Sequence, residues 1–123
     1  MVVYGAGAAG IACVELLKAM GMPSKNVIMC DRKGVISKSR NDLDQWKSAH
    51  AVDTPHKTLE DALKGADIAF GLSVKGAFTN DMMLSMNDKP IIFAMANPDP
   101  EITPDELRKI RPDAIIATGR SDY

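Results

Sequence analysis

Short apolar runs alternate along the chain with longer stretches in which apolar residues recur every three or four positions. Runs of four to six apolar residues fit buried strands, and the three-to-four spacing fits amphipathic helices. Residues 1–4 read as a first strand, Ala8 to Gly21 as a helix and Asn26 to Asp31 as a second strand. In the first helix Ala9, Ala12, Cys13, Leu16, Leu17 and Met20 form the apolar stripe, Glu15 and Lys18 lie opposite, and Gly21 and Pro23 mark its end. Arg32 to Asn41 is polar and reads as a connection. Asp42 to Ala51 reads as a helix carrying Leu43, Trp46 and Ala49, and residues 51–53 as a short third strand before Thr54-Pro55.

The second half repeats the alternation. Thr58 is an N-cap with Asp61 at the third helical position, and that helix runs to Leu63-Lys64 with Gly65 closing it. Asp67 to Ser73 reads as a fourth strand. Thr79 caps a short helix with Met82, Met83 and Met86 as core filler, and Pro90 to Met95 is a fifth strand. Thr103 caps a helix that has Pro104 at its first position, and residues 114–117 form a sixth strand. Strands alternating with helices imply an α/β fold: a doubly wound, Rossmann-like parallel sheet of about six strands, covered by helices on both faces. The expected strand order is 3-2-1-4-5-6, with right-handed crossovers and the ligand crevice at the carboxyl ends of strands one and four.

Composition adds bounds. A chain of 123 residues is one domain, and 46% hydrophobic residues is ordinary for a globular protein. A net charge of −1 gives no argument for nucleic acid or a membrane surface, and no apolar run approaches the ~18 residues of a membrane span. Cys13 and Cys30 have neither zinc nor redox spacing and read as small buried hydrophobes in a reducing, cytoplasmic setting. His50 and His56 read as structural, Trp46 as a packing anchor, and Asp42 with Asp44 as a poor metal pair. The reading includes no metal site.

The first turn carries chemistry. Gly5-Ala6-Gly7-Ala8-Ala9-Gly10 joins the first strand to the first helix as G-x-G-x-x-G. Gly5 permits the tight turn, Gly7 lets backbone approach a pyrophosphate, and Gly10 lets the helix pack against the strand. The helix start offers free N–H groups to phosphate. Asp31, 21 residues after Gly10, stands where such folds place the acid that binds ribose hydroxyls. Arg32 and Lys33 follow it, with Lys38, Arg40 and Lys47 further on. The acid favours a free 2′-hydroxyl and the cations a 2′-phosphate, so NAD and NADP both stay open. Asn97-Pro98, after the fifth strand, is either an ordinary turn or a hydrogen-bonding group at the reacting centre.

Val3 to Ala12, Met29 to Ile36, Ala66 to Ile68 with Gly71 to Val74, Ile91 to Pro98, and Ala117 to Tyr123 together resemble the malic enzymes, in particular the shorter bacterial type. The Ala-Asn-Pro and Thr-Gly-Arg-Ser-Asp-Tyr segments are far more specific than the glycine triplet. The resemblance implies oxidation of L-malate with NAD or NADP, then decarboxylation to pyruvate and carbon dioxide, assisted by Mg or Mn acting as a Lewis acid. It implies that Gly5 to Gly10 cradle the pyrophosphate and Asp31 holds the adenosine ribose. Ser73, Val74 and Gly76 would line the nicotinamide side, and Asn97 would reach the nicotinamide or malate. It makes Lys47, just after Trp46, a candidate for the 2′-phosphate. The family's catalytic tyrosine and lysine and its acidic metal ligands belong to sequence upstream of the glycine motif. Residues 1–123 are therefore expected to be a cofactor-binding domain excised from a longer, dimeric or larger enzyme, able to bind cofactor but not to turn over malate. The alternatives are a stand-alone dinucleotide sensor or the cofactor domain of another dehydrogenase.

Overall fold

β1 (Val2–Tyr4) is the centre from which the sheet grows. In this computed structural model, which describes residues 1–5, 7–96 and 99–119, β1 pairs in parallel with β2 (Ile28–Asp31) on one side and β4 (Ile68–Gly71) on the other. β5 (Ile91–Ala94) and β6 (Ile115–Thr118) extend the sheet in parallel beyond β4. At the opposite edge β3 (Gly34–Val35) pairs antiparallel to β2, which makes the order β3-β2-β1-β4-β5-β6. The helices are α1 (Ala8–Ala19), α2 (Gln45–Ala49), α3 (Leu59–Leu63), α4 (Asn80–Leu84) and α5 (Pro104–Ile110). Among the described residues no helix is long and apolar enough to cross a membrane.

The order agrees with expectation, but the third strand is another segment. Residues 51–53 form no strand; Val52 makes only an isolated bridge to Ser37. The edge strand comes instead from the stretch read as a connection. After Asp31 the chain reverses in two residues: the Lys33 amide donates to Asp31 Oδ1 at 2.9 Å, and Gly34 takes φ +113°. An aspartate turn followed by a glycine with positive φ closes a hairpin, which pattern reading at period two cannot see in a two-residue strand.

Alternate strand residues feed two cores. Val2, Ala69 and Ile92 face α3, α4 and α5, where they meet Leu63, Met82, Met83, Met86 and Leu107. The three methionines are buried, as their spacing predicted. Val3 and Met29 face the other way, onto Val14 of α1. On that second side β4–β6 are thinly covered. Phe70 and Phe93 stack with centroids 5.0 Å apart, and Ile115 is exposed.

Thr58, Thr79 and Thr103 each accept the expected capping hydrogen bond, from the amides of Asp61, Met82 and Glu106. α1 departs from expectation in which face it buries. Gly10 and Val14 are buried, whereas Ala9, Ala12, Leu16 and Met20 of the predicted stripe are exposed. A β-carbon at Gly10 would collide with the Gly5 carbonyl, so the helix approaches the sheet along its glycine. Trp46 is also exposed and anchors no core, another correction to the sequence reading. α2 is shorter than the expected helix of residues 42–51: it starts after Asp44, which caps it by accepting the Lys47 amide, and ends at Ala49.

Candidate functional site

A crevice of about 560 Å³ opens across the carboxyl ends of β1, β2 and β4. Its floor is Tyr4, Gly5 and Gly7; one wall is Asp31, Arg32, Lys33, Arg40, Asp42 and Lys47; the other is Leu72, Ser73 and Val74. Three loops far apart in sequence converge there because parallel strands all end on one edge.

The glycine turn has the shape its sequence implies. Gly5 sits at φ +128°, and a β-carbon there would press on the Leu72 carbonyl oxygen at 2.7 Å. Around Gly7 a β-carbon would meet no atom within 4 Å, so that position opens into free space rather than packed protein. Gly7 is the N-cap of α1, with no side-chain cap and no acid in the first turn. The first N–H groups and the positive end of the helix dipole therefore stand beside the crevice floor, fit to receive an anion such as a pyrophosphate. This open, uncapped turn is what a dinucleotide requires.

The wall after β2 is a closed ionic network. Arg40 donates from Nη1 to Asp31 Oδ1 and from Nη2 to Asp31 Oδ2, both at 2.9 Å. Lys47 Nζ adds a contact to Oδ2 at 3.2 Å. Arg40 also engages Asp42 through Nε and Nη2, each at 3.0 Å, and Lys33 Nζ reaches Asp42 at 3.1 Å. Burial pushes the Asp31 carboxyl up. The hydrogen bonds from Arg40, the Lys33 amide and Lys47 outweigh it and hold the group below its ordinary range. Arg40 is held above the usual guanidinium value, first by its bonds to Asp42 and then by those to Asp31.

Opposite this wall lies a residue that sequence reading missed. Glu101 is fully buried. Its Oε2 accepts the Ser73 amide at 2.9 Å and its Oε1 the Ala96 amide at 3.0 Å, tying the loop after β4 to the loop after β5. A β-carbon at Gly71 would strike its carboxylate, so that glycine is what admits the group. The available signal was an acid set between two apolar residues, Pro100 and Ile102.

Of the residues singled out from sequence, Gly5, Gly7, Asp31, Arg32, Lys33, Lys47, Ser73 and Val74 line the one crevice. Ala8 lies beside it, sharing with Gly7 and Trp46 a hollow along α1. Ala9 is exposed and Gly10 buried beneath the turn. Gly76 lines a separate hollow with Thr79 and Glu106. Ala6 and Asn97 lie outside the described residues. His50 is buried against Lys18 and Glu15, away from the crevice.

Comparison with known proteins agrees with this geometry. The family profile described as "Malic enzyme, NAD binding domain" matches residues 1–121. The chain is 65% identical to the NADP-dependent malic enzyme of Rhizobium meliloti and 57% identical to the probable NADP-dependent malic enzyme of Rickettsia prowazekii. Both matches cover all of this chain and 16% of the relative. The crystal structure of the NAD-dependent malic enzyme of Thermotoga maritima superposes with a TM-score of 0.88 at 40% identity, covering 99% of this chain and 33% of that one. The chain thus spans about a sixth of the length of the two relatives it matches.

Proposed function

The chain belongs to the malic enzyme NAD-binding domain family, and from that premise we propose that it supplies the nicotinamide dinucleotide half of a malic enzyme's active site. The observation that carries the reading is the single crevice joining the uncapped glycine turn, the Asp31 wall and the Ser73–Val74 wall. The glycine turn and the start of α1 bind the pyrophosphate. The wall after β2 receives the adenosine ribose. Ser73 and Val74 flank the nicotinamide, held in place by Glu101 through the Ser73 amide. Asn97, outside the described residues, is assigned to the nicotinamide or malate by the family resemblance.

When bound, the nicotinamide supplies a hydride acceptor. The chain's own residues orient it: the crevice walls fix the two ends of the dinucleotide, and the rigid sheet edge sets the distance between them. In the whole enzyme the substrate is L-malate, oxidised and decarboxylated to pyruvate, with Mg or Mn held by residues outside this chain. The whole enzyme is cytoplasmic and a homodimer or larger. The isolated chain binds cofactor without turning over malate.

The test is a parallel titration of the purified chain with NADH and NADPH, followed by nicotinamide fluorescence. Saturable binding that weakens in a Gly7→Val variant of unchanged stability supports the reading. Absence of saturation with both cofactors sinks it, as does robust cofactor reduction by the chain alone with malate and Mn²⁺.

A further inference from the structure

The helix at the outer edge of the crevice is fastened by few contacts. None of the five residues of α2 is buried. Leu43 and Ala51, on either side of it, pack half-buried on the second core, and Lys47 Nζ meets Asp31 at 3.2 Å. The remaining tie is His50, the C-cap of α2, which is only 7% exposed and lodged against α1. Its Nδ1 lies 2.8 Å from Lys18 Nζ, and its Nε2 faces Glu15 Oε1 at 3.5 Å.

These contacts select one protonation state of the ring. An ammonium only donates, so Nδ1 accepts from Lys18 and the single imidazole proton sits on Nε2, toward Glu15. A second proton would set an N–H donor and a full positive charge against the Lys18 ammonium. Burial already disfavours the Lys18 charge, and a cation beside it adds repulsion. Glu15 is more than half exposed and offsets little of it. The charged groups of α2 itself are turned elsewhere: Lys47 reaches Asp31, and Asp44 accepts the Lys47 amide at the helix start.

Resting on the dinucleotide reading above, we infer that His50 is a proton-sensitive positioning residue. Neutral, it pins α2 to α1 and so holds the edge of the crevice that carries Lys47; protonated, it releases both. The docked helix needs the neutral ring, so release takes up a proton. Docking is therefore strongest at high pH and is lost as pH falls through the imidazole range, about pH 8 to 5. One proton can weaken docking by up to about tenfold per pH unit. Trp46, the single tryptophan of the chain, is a built-in reporter, because it sits on α2 and shares a hollow with Ile11, Ala12 and Glu15 of α1.

The experiment follows Trp46 emission, and NAD binding by calorimetry, from about pH 8 to 5 in wild type, His50→Gln and Lys18→Met. NAD is the probe because it carries no 2′-phosphate to titrate in this range. In wild type the emission should shift with a one-proton curve, and NAD should bind at least about threefold more weakly at about pH 5.5 than at about pH 7.5. Glutamine offers an acceptor and a donor but does not titrate, so His50→Gln should flatten both curves. Lys18→Met removes the opposing cation while keeping the imidazole; it should flatten them too, and it carries the test if His50→Gln does not fold. His56 and the amino terminus, which burial lowers toward this range, remain in every variant. Curves that neither substitution changes belong to those groups and overturn the proposal. A flat emission curve in wild type overturns it as well, as does emission that titrates while NAD affinity stays constant. Failure of wild type to bind NAD at about pH 8 refutes the dinucleotide reading itself, and the emission curves then decide separately whether His50 holds α2.

Discussion

Replacing Glu101 tests whether the loops after β4 and β5 are held by one buried carboxylate. Glu101 has no exposed surface, and its two oxygens each take one backbone amide, from Ser73 at 2.9 Å and Ala96 at 3.0 Å. Hydrogen bonds to a charged group contribute roughly 1.5–3 kcal/mol each, and a buried amide stripped of its acceptor bears the desolvation cost. Glu101→Ala abandons both amides and should therefore cost about 3–6 kcal/mol, a large part of the ~5–15 kcal/mol by which a domain is stable. Glu101→Gln keeps one acceptor oxygen and turns an amide group toward the second N–H, so it should cost about 1–3 kcal/mol. Urea unfolding gives the magnitude. Amide hydrogen exchange by NMR gives the location: Ser73 and Ala96 should lose protection together in Glu101→Ala, and only one of them in Glu101→Gln. If Glu101→Ala unfolds within about 0.5 kcal/mol of wild type, the range of an ordinary surface change, the carboxylate does not hold the wall. Retained protection at both amides refutes the reasoning equally.

Three further outcomes follow from the same geometry. Arg111 is buried and donates to the carbonyls of Met83, Met86 and Asn87 at the end of α4; Arg111→Met should destabilise by about 2–4 kcal/mol in urea melts, with Arg111→Lys recovering only part of it. Burial pushes the Cys30 thiol from its ordinary 9.0 to about 12, with the neighbouring Asp31 charge adding to the effect. The unfolded thiol ionises first, so as pH rises from 9.0 to about 12 the unfolded state binds fewer protons and stability falls. Over that interval the loss reaches about 4 kcal/mol, and Cys30→Ala should remove this share of alkaline sensitivity when melts are compared across pH. Gly10→Ala and Gly7→Ala should part company. The first drives a β-carbon into the Gly5 carbonyl and should cost at least about 2 kcal/mol, whereas the second points into open space and should leave the melt within about 1 kcal/mol while weakening NADPH binding. Equal melts for the two would show that Gly10 does not set the helix-to-strand distance.

What a stretch of a dozen residues can specify was legible in the chain. The threonine caps at 58, 79 and 103 act through an amide three residues on. The strands β1, β2, β4, β5 and β6 are apolar runs bounded by turns, the pattern of a parallel sheet, although one face of β4–β6 is left thinly covered. Gly5, Gly7 and Gly10 each meet a local geometric demand of one turn. The family resemblance was carried by motifs of the same short range.

Three features depended on contacts between distant segments. α1 is apolar nearly all round, so its period could not say which stripe goes inward; the close approach at Gly10 to the Gly5 carbonyl selected Gly10 and Val14. The third strand depended on a two-residue hairpin whose partner is β2, and an isolated pattern at 51–53 carried no information about that pairing. In the crevice, position after β2 identified Asp31, but its chemistry is set by Arg40 and Lys47, which the chain returns to it from 9 and 16 residues away. Glu101 reaches across to Ser73 from 28 residues away. The local alphabet thus determined the elements and the open glycine turn. Which charges are free and which are spent was decided only when folding brought donors and acceptors within about 3 Å, the range at which a hydrogen bond exists.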